Sequence, residues 1–504
     1  MVRAAAGGEG CVEGGIAFRR LPGFFSTVIC FAPYARPRKP QLAPPNFHPG
    51  LVSAMLGTMP KPIHRREFVR SVAAGFGAAA LPSTVAAEDE PRFEMRPPAA
   101  RTWARPTTWI GSVTDGAAIV KAKLPAGTDC RVAVRKASGG DELHFLPDQQ
   151  PTPLNVARFR VSGLEPLTEY VYTLEIAGRP STYPAGVIRT MAPAGQPWSF
   201  NFSFSSCAAT GSRQPVFSTI LQRRPAVFLH LGDLHYTNIS RPDPRQYRAA
   251  WDTVLSSSTQ SALYRSVPLA YVWDDHDFGP NGSDARNPGR NVACEIYREY
   301  APVDSLPVGR MDGAIYHAFS IGRVRFIMTD LRSMRSPEKA PEGAAKTMMG
   351  VEQKEWFKKE LRTAATDNAL VFWASSVPWI GSGEGDAWQN YTTERRELAA
   401  FMAEIGIRNL CILCGDAHML AADDGRNSDY SGTGTLRIPV LHGSALDQGG
   451  SYKGGPYSEG YYTPRSEEGC FGWVEVEDDG QKVAVSFTGR NHRDEVMVKH
   501  RFEV

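Results

Sequence analysis

The stretch Ala226-Val-Phe-Leu-His-Leu-Gly-Asp-Leu-His-Tyr236 is a mostly apolar run that stops on a glycine and a carboxylate. A short apolar run bounded by a turn signal reads as a strand buried on both faces. In an open α/β sheet, ligands gather beyond the carboxyl ends of such strands. The same grammar recurs outward from this segment. Runs Trp198 to Ser205, Leu269 to Trp273, Val324 to Thr329, Leu370 to Ala374, Asn409 to Cys414 and Ile438 to Leu441 alternate with helix-like segments, and most end in a polar cluster. The pattern predicts an α/β architecture whose strands are covered on both faces.

Five strand ends carry chemistry: Ser205-Ser206-Cys207, Gly232-Asp233-Leu234-His235-Tyr236, Trp273-Asp274-Asp275-His276-Asp277, Asp330-Leu331-Arg332 and Gly415-Asp416-Ala417-His418. A single aspartate at a strand end commonly caps the next helix. Carboxylates crowded at one sheet edge repel, however, unless cations neutralise them, and an oxygen-rich set with imidazole suits hard or borderline metals. Glycine before Asp233 and Asp416 removes a side chain and lets the loop turn sharply. Tyr236, three residues beyond Asp233, is within reach of the same ion, and a phenolate ligand favours ferric iron.

In the order Gly-Asp-x-x-Tyr, Asp-Asp-His-Asp and Gly-Asp-x-His, the sequence resembles the metallophosphoesterase superfamily, and in detail its PhoD-like (alkaline phosphatase D) family. Shared features are the Ser-Cys after the first strand, Trp273-Asp-Asp-His, Met349-Gly-Val-Glu-Gln-Lys-Glu-Trp-Phe and a small β domain in front. The resemblance implies a four-layer αββα sandwich over residues 198–504, preceded by a small all-β fibronectin- or immunoglobulin-like domain over 100–192. It implies Cys207, Asp233 and Tyr236 as ligands of a ferric iron, Asp233 bridging to a second cation, Asp275 on that second cation, and Asp416 with His418 completing the metal set. Calcium is the family's partner to iron, and oxygen ligands fit it. His276 would serve the leaving group. Arg332 is a candidate clamp on phosphate oxygens, with a salt bridge to Asp330 or another acid as the competing reading. The superfamily's histidine after the fifth strand is absent, because Trp373-Ala-Ser-Ser-Val-Pro-Trp offers only Ser375 and Ser376.

The implied activity is hydrolysis of phosphate esters, monoesters or diesters, by a metal-bound hydroxide or oxide, with lipid or cell-wall polymer headgroups among the substrates to consider. Phospholipase D chemistry at the same centre would differ only in the substrate pocket. A catalytically silent binding ectodomain is opposed by the intact set of site residues. His235, Asn281 and His442 also lie near strand ends, where loop hydrogen bonding or turn formation competes with a site role.

The remaining chain sets context. The 504 residues carry a net charge of +3. The first 87 residues hold 10 basic and 3 acidic residues, which leaves 46 against 50 and a net of −4 for the rest. No basic stripe suited to a phosphate backbone remains, so nucleic-acid binding is disfavoured. No apolar run reaches the length of a membrane span. Residues 1–54 are rich in Pro, Gly and Arg without periodicity and read as an overlong start or leader. Residues 55–87, with Arg65-Arg66, an Ala- and Gly-rich apolar stretch and Val85-Ala86-Ala87, read as a twin-arginine signal peptide that predicts export to the periplasm or exterior. Between Trp103 and Thr190, short β-rich runs separated by Gly, Pro and Asp predict a sandwich, with the tyrosine of Val161-Ser-Gly-Leu-Glu-Pro-Leu-Thr-Glu-Tyr anchoring a turn. Cys411 and Cys414 form a CxxC inside a buried-strand pattern, where residues three apart point to opposite faces, so core filling is expected of them.

Overall fold

Apolar alternation in the central strands divides their side chains between two cores, and that division organises the molecule. The computed structural model describes residues 106–125, 127–148, 156–381, 386–465 and 467–504. The leader segments 1–54 and 55–87, with Arg65 and Arg66, lie outside the described residues. The described residues form one compact unit.

The fold is mixed α/β with several sheets. A six-stranded sheet runs in the order Leu269–Val272, Phe228–Leu231, Phe200–Ser205, Cys470–Asp478, Val483–Asn491, Val496–Glu503. Its first three strands are parallel, and the last three form an antiparallel ribbon joined to them where Cys470–Asp478 pairs with Phe200–Ser205. A seven-stranded sheet runs His317–Ile321, Val324–Met328, Leu370–Ser375, Leu410–Cys414, Val440–Gly443, Leu420–Asp423, Tyr461–Tyr462, and its second to fifth strands are parallel. The runs expected from the sequence are strands, with ends shifted by one or two residues.

The two sheets pack face to face. Phe202 of the first meets Phe326 and Phe372 of the second edge-on, with ring centroids 5.2 and 5.0 Å apart, the geometry aromatic pairs favour. Along the second sheet the alternate residues Phe326, Met328, Phe372, Cys411 and Leu413 enter this shared core. Their neighbours Ile327, Val371, Trp373, Ile412 and Cys414 face a second core, closed by Phe357 and Leu361 of helix Val351–Asp367 and by Leu398 and Met402 of helix Thr392–Glu404. Cys411 and Cys414 thus fill opposite cores as free thiols.

The front residues form two antiparallel sheets: Thr107–Gly111, Ala117–Lys123 and Val156–Ser162 in one, Leu143–Phe145, Cys130–Lys136 and Glu169–Ile176 with two short flanking strands in the other. Tyr170 Oη accepts from the Glu165 amide at 2.8 Å, the turn anchor expected from the sequence. This β region rests on the end of helix Arg290–Tyr300. Trp109 Nε1 donates to Tyr300 O at 2.8 Å, and Lys121 Nζ donates to Glu299 O at 3.0 Å. Among the described residues no helix is long and apolar enough to cross a membrane.

Candidate metal centre

The backbone at the strand ends is unusual before any side chain is considered. Cys207, Asp233, Asp416 and His418 have φ of 63°, 56°, 56° and 49°, left-handed conformations that only glycine adopts freely. Such strain concentrates at functional sites, because surrounding contacts must hold it in place. Those contacts are visible. The Cys207 amide donates to Gly232 O at 3.1 Å and the Ala208 amide to Asp233 O at 2.9 Å, which ties the first two strand ends together. The Asp416 amide donates to Ser206 Oγ at 3.2 Å, which ties the second sheet to the first.

The two glycines serve different ends. Gly232 has φ +98°, and a Cβ there would lie 2.6 Å from the Asp274 amide nitrogen, so both the turn and the close approach of two loops exclude a side chain. Gly415 does not have a positive φ. A Cβ on it would meet Leu231 O at 2.6 Å and Ser376 O at 2.8 Å, so close packing, in place of the expected sharp turn, demands glycine at this position.

Side chains then converge. Three sets, Cys207 with Asp233 and His418, Asp233 with Asp275 and His276, and Asp233 with Asp274 and Asp416, each bring their ligand atoms within 4.8 Å of one another. Asp233 is common to all three. Tyr236 Oη donates to Asp233 Oδ2 at 2.9 Å and lies 3.1 Å from His418 Nε2, while its ring stacks on His276 at 4.1 Å. The short turn Asp275–Phe278 is fastened by Asp277, whose carboxylate accepts from the Asp274 amide at 2.7 Å, the Leu234 amide at 2.9 Å and Tyr271 Oη at 2.6 Å.

The electrostatics of the cluster test its fit to cations. Burial, with the Asp275 and Asp274 carboxylates next, pushes Asp233 well above the usual carboxylate range. Burial raises Asp416 to about 6 even though Lys453 opposes the shift. Burial, reinforced by Asp233, holds the Cys207 thiol far above its ordinary value. Asp274 Oδ2 and Asp416 Oδ2 are buried with no hydrogen-bond partner. Unpartnered buried carboxylate oxygens are costly, and cations among these ligand atoms would satisfy them and favour ionisation of every group named. The donor set therefore fits metal ions, with sulfur, phenol and imidazole on one side of Asp233 and carboxylates on the other.

Arg332, the expected clamp on phosphate oxygens, is enclosed. Its side chain is 0% exposed, Nε donates to Asp274 Oδ1 at 2.7 Å, and Nη1 pairs with Asp386 Oδ2 at 2.7 Å. Arg335 and Tyr391 complete this network behind the centre. Its carboxylate partners are thus Asp274 and Asp386. Ser376, the residue after strand Leu370–Ser375, donates to Asp274 Oδ1 at 2.8 Å. His276 is half-buried, with Nδ1 2.6 Å from Asn238 Oδ1. His235 and His442 are buried outside the ligand sets. Asn281 is exposed in a turn. Asp274, Asp386 and Lys453 were not singled out by sequence reasoning; only Asp274 carried a signal, as the first aspartate of its motif.

Residues 202–451 match the model of the PhoD-like phosphatase family. The chain belongs to that family. A solved structure of PhoD superposes with a TM-score of 0.64 at 16% identity, covering 80% of this chain and 93% of that one, which establishes the shared fold. GAP50, the anchor in the inner membrane complex of Plasmodium, gives a TM-score of 0.40 at 12% identity, covering 61% of this chain and 89% of its own. A dimetal phosphatase from Danio rerio gives 0.37 at 12% identity, covering 60% and 98%. No curated protein matches by sequence. This PhoD-like chain is thus a metal-dependent phosphoesterase by family, with groups suited to metal at its strand ends.

Proposed function

We propose that this PhoD-like protein hydrolyses phosphate monoesters or diesters at a two-cation centre. Cys207, Asp233, Tyr236 and His418 would hold ferric iron, and Asp233, Asp275, Asp274 and Asp416 would hold calcium. The observation that carries this reading is the sharing of Asp233 by three ligand sets within 4.8 Å. When bound, paired cations acidify water and neutralise the charge of an in-line displacement at phosphorus.

The chain's own residues do the rest. Arg332, held by Asp274 and Asp386, fixes the Asp274 strand-end loop from behind. Tyr236 presses its ring on His276 and sets the imidazole plane. His276 Nδ1 lies 2.6 Å from Asn238 Oδ1, which would take a hydrogen bond from Nδ1; in the imidazolium form the second proton, on Nε2, would then go to the departing alkoxide and leave a neutral imidazole.

We read the front strands as a fibronectin-like module ahead of a four-layer αββα catalytic domain. We read Arg65-Arg66 as a twin-arginine export signal. Normal export of an Arg65→Lys, Arg66→Lys double variant would end the export assignment.

Metal analysis of the purified chain beside a panel of mono- and diester substrates tests the function. Bound iron and calcium, with hydrolysis lost in Asp233→Asn, is the expected result. Full hydrolysis by metal-free protein would refute it.

A further inference from the structure

The loop that follows the last central strand is laced to the metal loop along its length. His418 Nδ1 lies 2.8 Å from Gly449 O, the Ser451 amide donates to His418 O at 3.1 Å, and Ser451 Oγ donates to Ala417 O at 2.9 Å. Two residues on, Lys453 Nζ donates to Asp416 Oδ1 at 2.7 Å and to Asp416 O at 3.1 Å. Tyr457 Oη fixes the Lys453 carbonyl at 2.8 Å. Gly454 sits where a Cβ would lie 2.2 Å from Ile380 O, so the segment is pressed against the fold.

The cations nearest the centre differ in one decisive respect. Arg332 and Arg335 are 0% and 1% exposed and committed to carboxylates. The Lys453 side chain is 33% exposed and that of its partner Asp416 7%, so this ion pair, unlike those of the two arginines, reaches solvent on the lysine side. Its charge bears on His276 and His418. An ammonium has three donors and no acceptor. Two are spent on Asp416, which leaves one for an incoming oxygen.

We propose that Lys453 is the residue that binds the phosphate oxygens of the substrate, the part the sequence suggested for Arg332. This rests on the phosphoesterase reading above. Asp416 divides its carboxylate between tasks: Oδ1 carries Lys453, and Oδ2, buried without a hydrogen-bond partner, remains for a cation. The phosphoryl group would meet a positive charge on its solvent side as well as its inner side. Only anionic esters use that charge, so the class selected is phosphate esters carrying at least one ionised oxygen.

The test uses the full metal-loaded chain as wild type, Lys453→Gln and Lys453→Arg. Inorganic phosphate binding is measured by calorimetry and expressed per loaded centre after metal analysis, beside KM and kcat for a chromogenic ester. In Lys453→Gln, phosphate affinity should fall about tenfold or more, as loss of a charge-assisted hydrogen bond implies. KM should rise in parallel and kcat should change by less. Lys453→Arg should recover most of the affinity. Phosphate affinity per loaded centre unchanged in Lys453→Gln overturns the proposal, whether or not metal content changes. Wild type that holds metal and cleaves ester beside an unaltered Lys453→Gln defeats this proposal alone. Wild type without metal, hydrolysis or phosphate binding defeats both readings.

Discussion

Arg332 Nε meets Asp274 Oδ1 at 2.7 Å, with side chains 0% and 1% exposed. This contact joins a strand end of the seven-stranded sheet to one of the six-stranded sheet, so it locks two halves of the centre together. Burial pushes the Asp274 carboxyl up, and the guanidinium opposes that by favouring ionisation. Removing one partner of a buried pair strands the other charge. Arg332→Gln is expected to lower unfolding free energy by about 3–5 kcal/mol, read from urea denaturation at neutral pH. A loss below 1 kcal/mol would contradict the locking role.

Gly232 leads to a second expectation. In Gly232→Ala the new methyl would press on the backbone of Asp274, and φ +98° would be strained in addition. The loops at Asp233 and Asp274 must then separate, which spoils the ligand set. Metal content and ester hydrolysis should both fall by about tenfold or more, with strain of about 1–3 kcal/mol showing in thermal unfolding.

A third expectation concerns the sulfur. If Cys207 and Tyr236 hold iron, purified protein should carry a visible charge-transfer band. Cys207→Ala should bleach it and lower iron content while the far-UV dichroism stays unchanged. Calcium chelation should abolish diester hydrolysis without removing the colour. A colourless, iron-free and fully active protein would end this assignment.

The fourth concerns pH. Burial, with Arg158 adding repulsion, lowers Lys121 to about 7. In the unfolded chain a lysine keeps its proton to about pH 10.4. Between those values the unfolded state binds more protons, so this residue makes stability rise with pH. Wild type should therefore gain on Lys121→Met as pH goes from 7 to 10, measured as the difference in unfolding free energy. A gap independent of pH would show that Lys121 stays charged in the fold.

Much of the centre was legible because each ligand directly follows an apolar run. Cys207, Asp233, Asp275 and Asp416 all sit just beyond strands whose pattern is local. The opposite faces of Cys411 and Cys414 follow from strand periodicity alone. Lys453 and Asp386 were not legible. They lie in irregular loops, and their proximity to the centre depends on tertiary contacts such as Ser451 to Ala417. Arg332 was open between two roles because a side chain at a strand end can point to the ligand or into the fold, and only burial decides. The ribbon Cys470 to Glu503 was missed as well, since its strands gain meaning only beside a partner far earlier in the chain.

That distant partnership bears on how the protein comes into being. The strand leading to Cys207 has one neighbour early in the chain, but its other edge is closed by Cys470–Asp478, where Phe204 faces Gly472. During synthesis that edge stays open until Cys470–Asp478 has left the ribosome, and an unpaired strand edge invites association with other chains. A fragment cut at residue 451, where the family match ends, should be insoluble. Maturation of the metal pocket therefore waits on the synthesis of Cys470–Asp478, the strand that closes this edge.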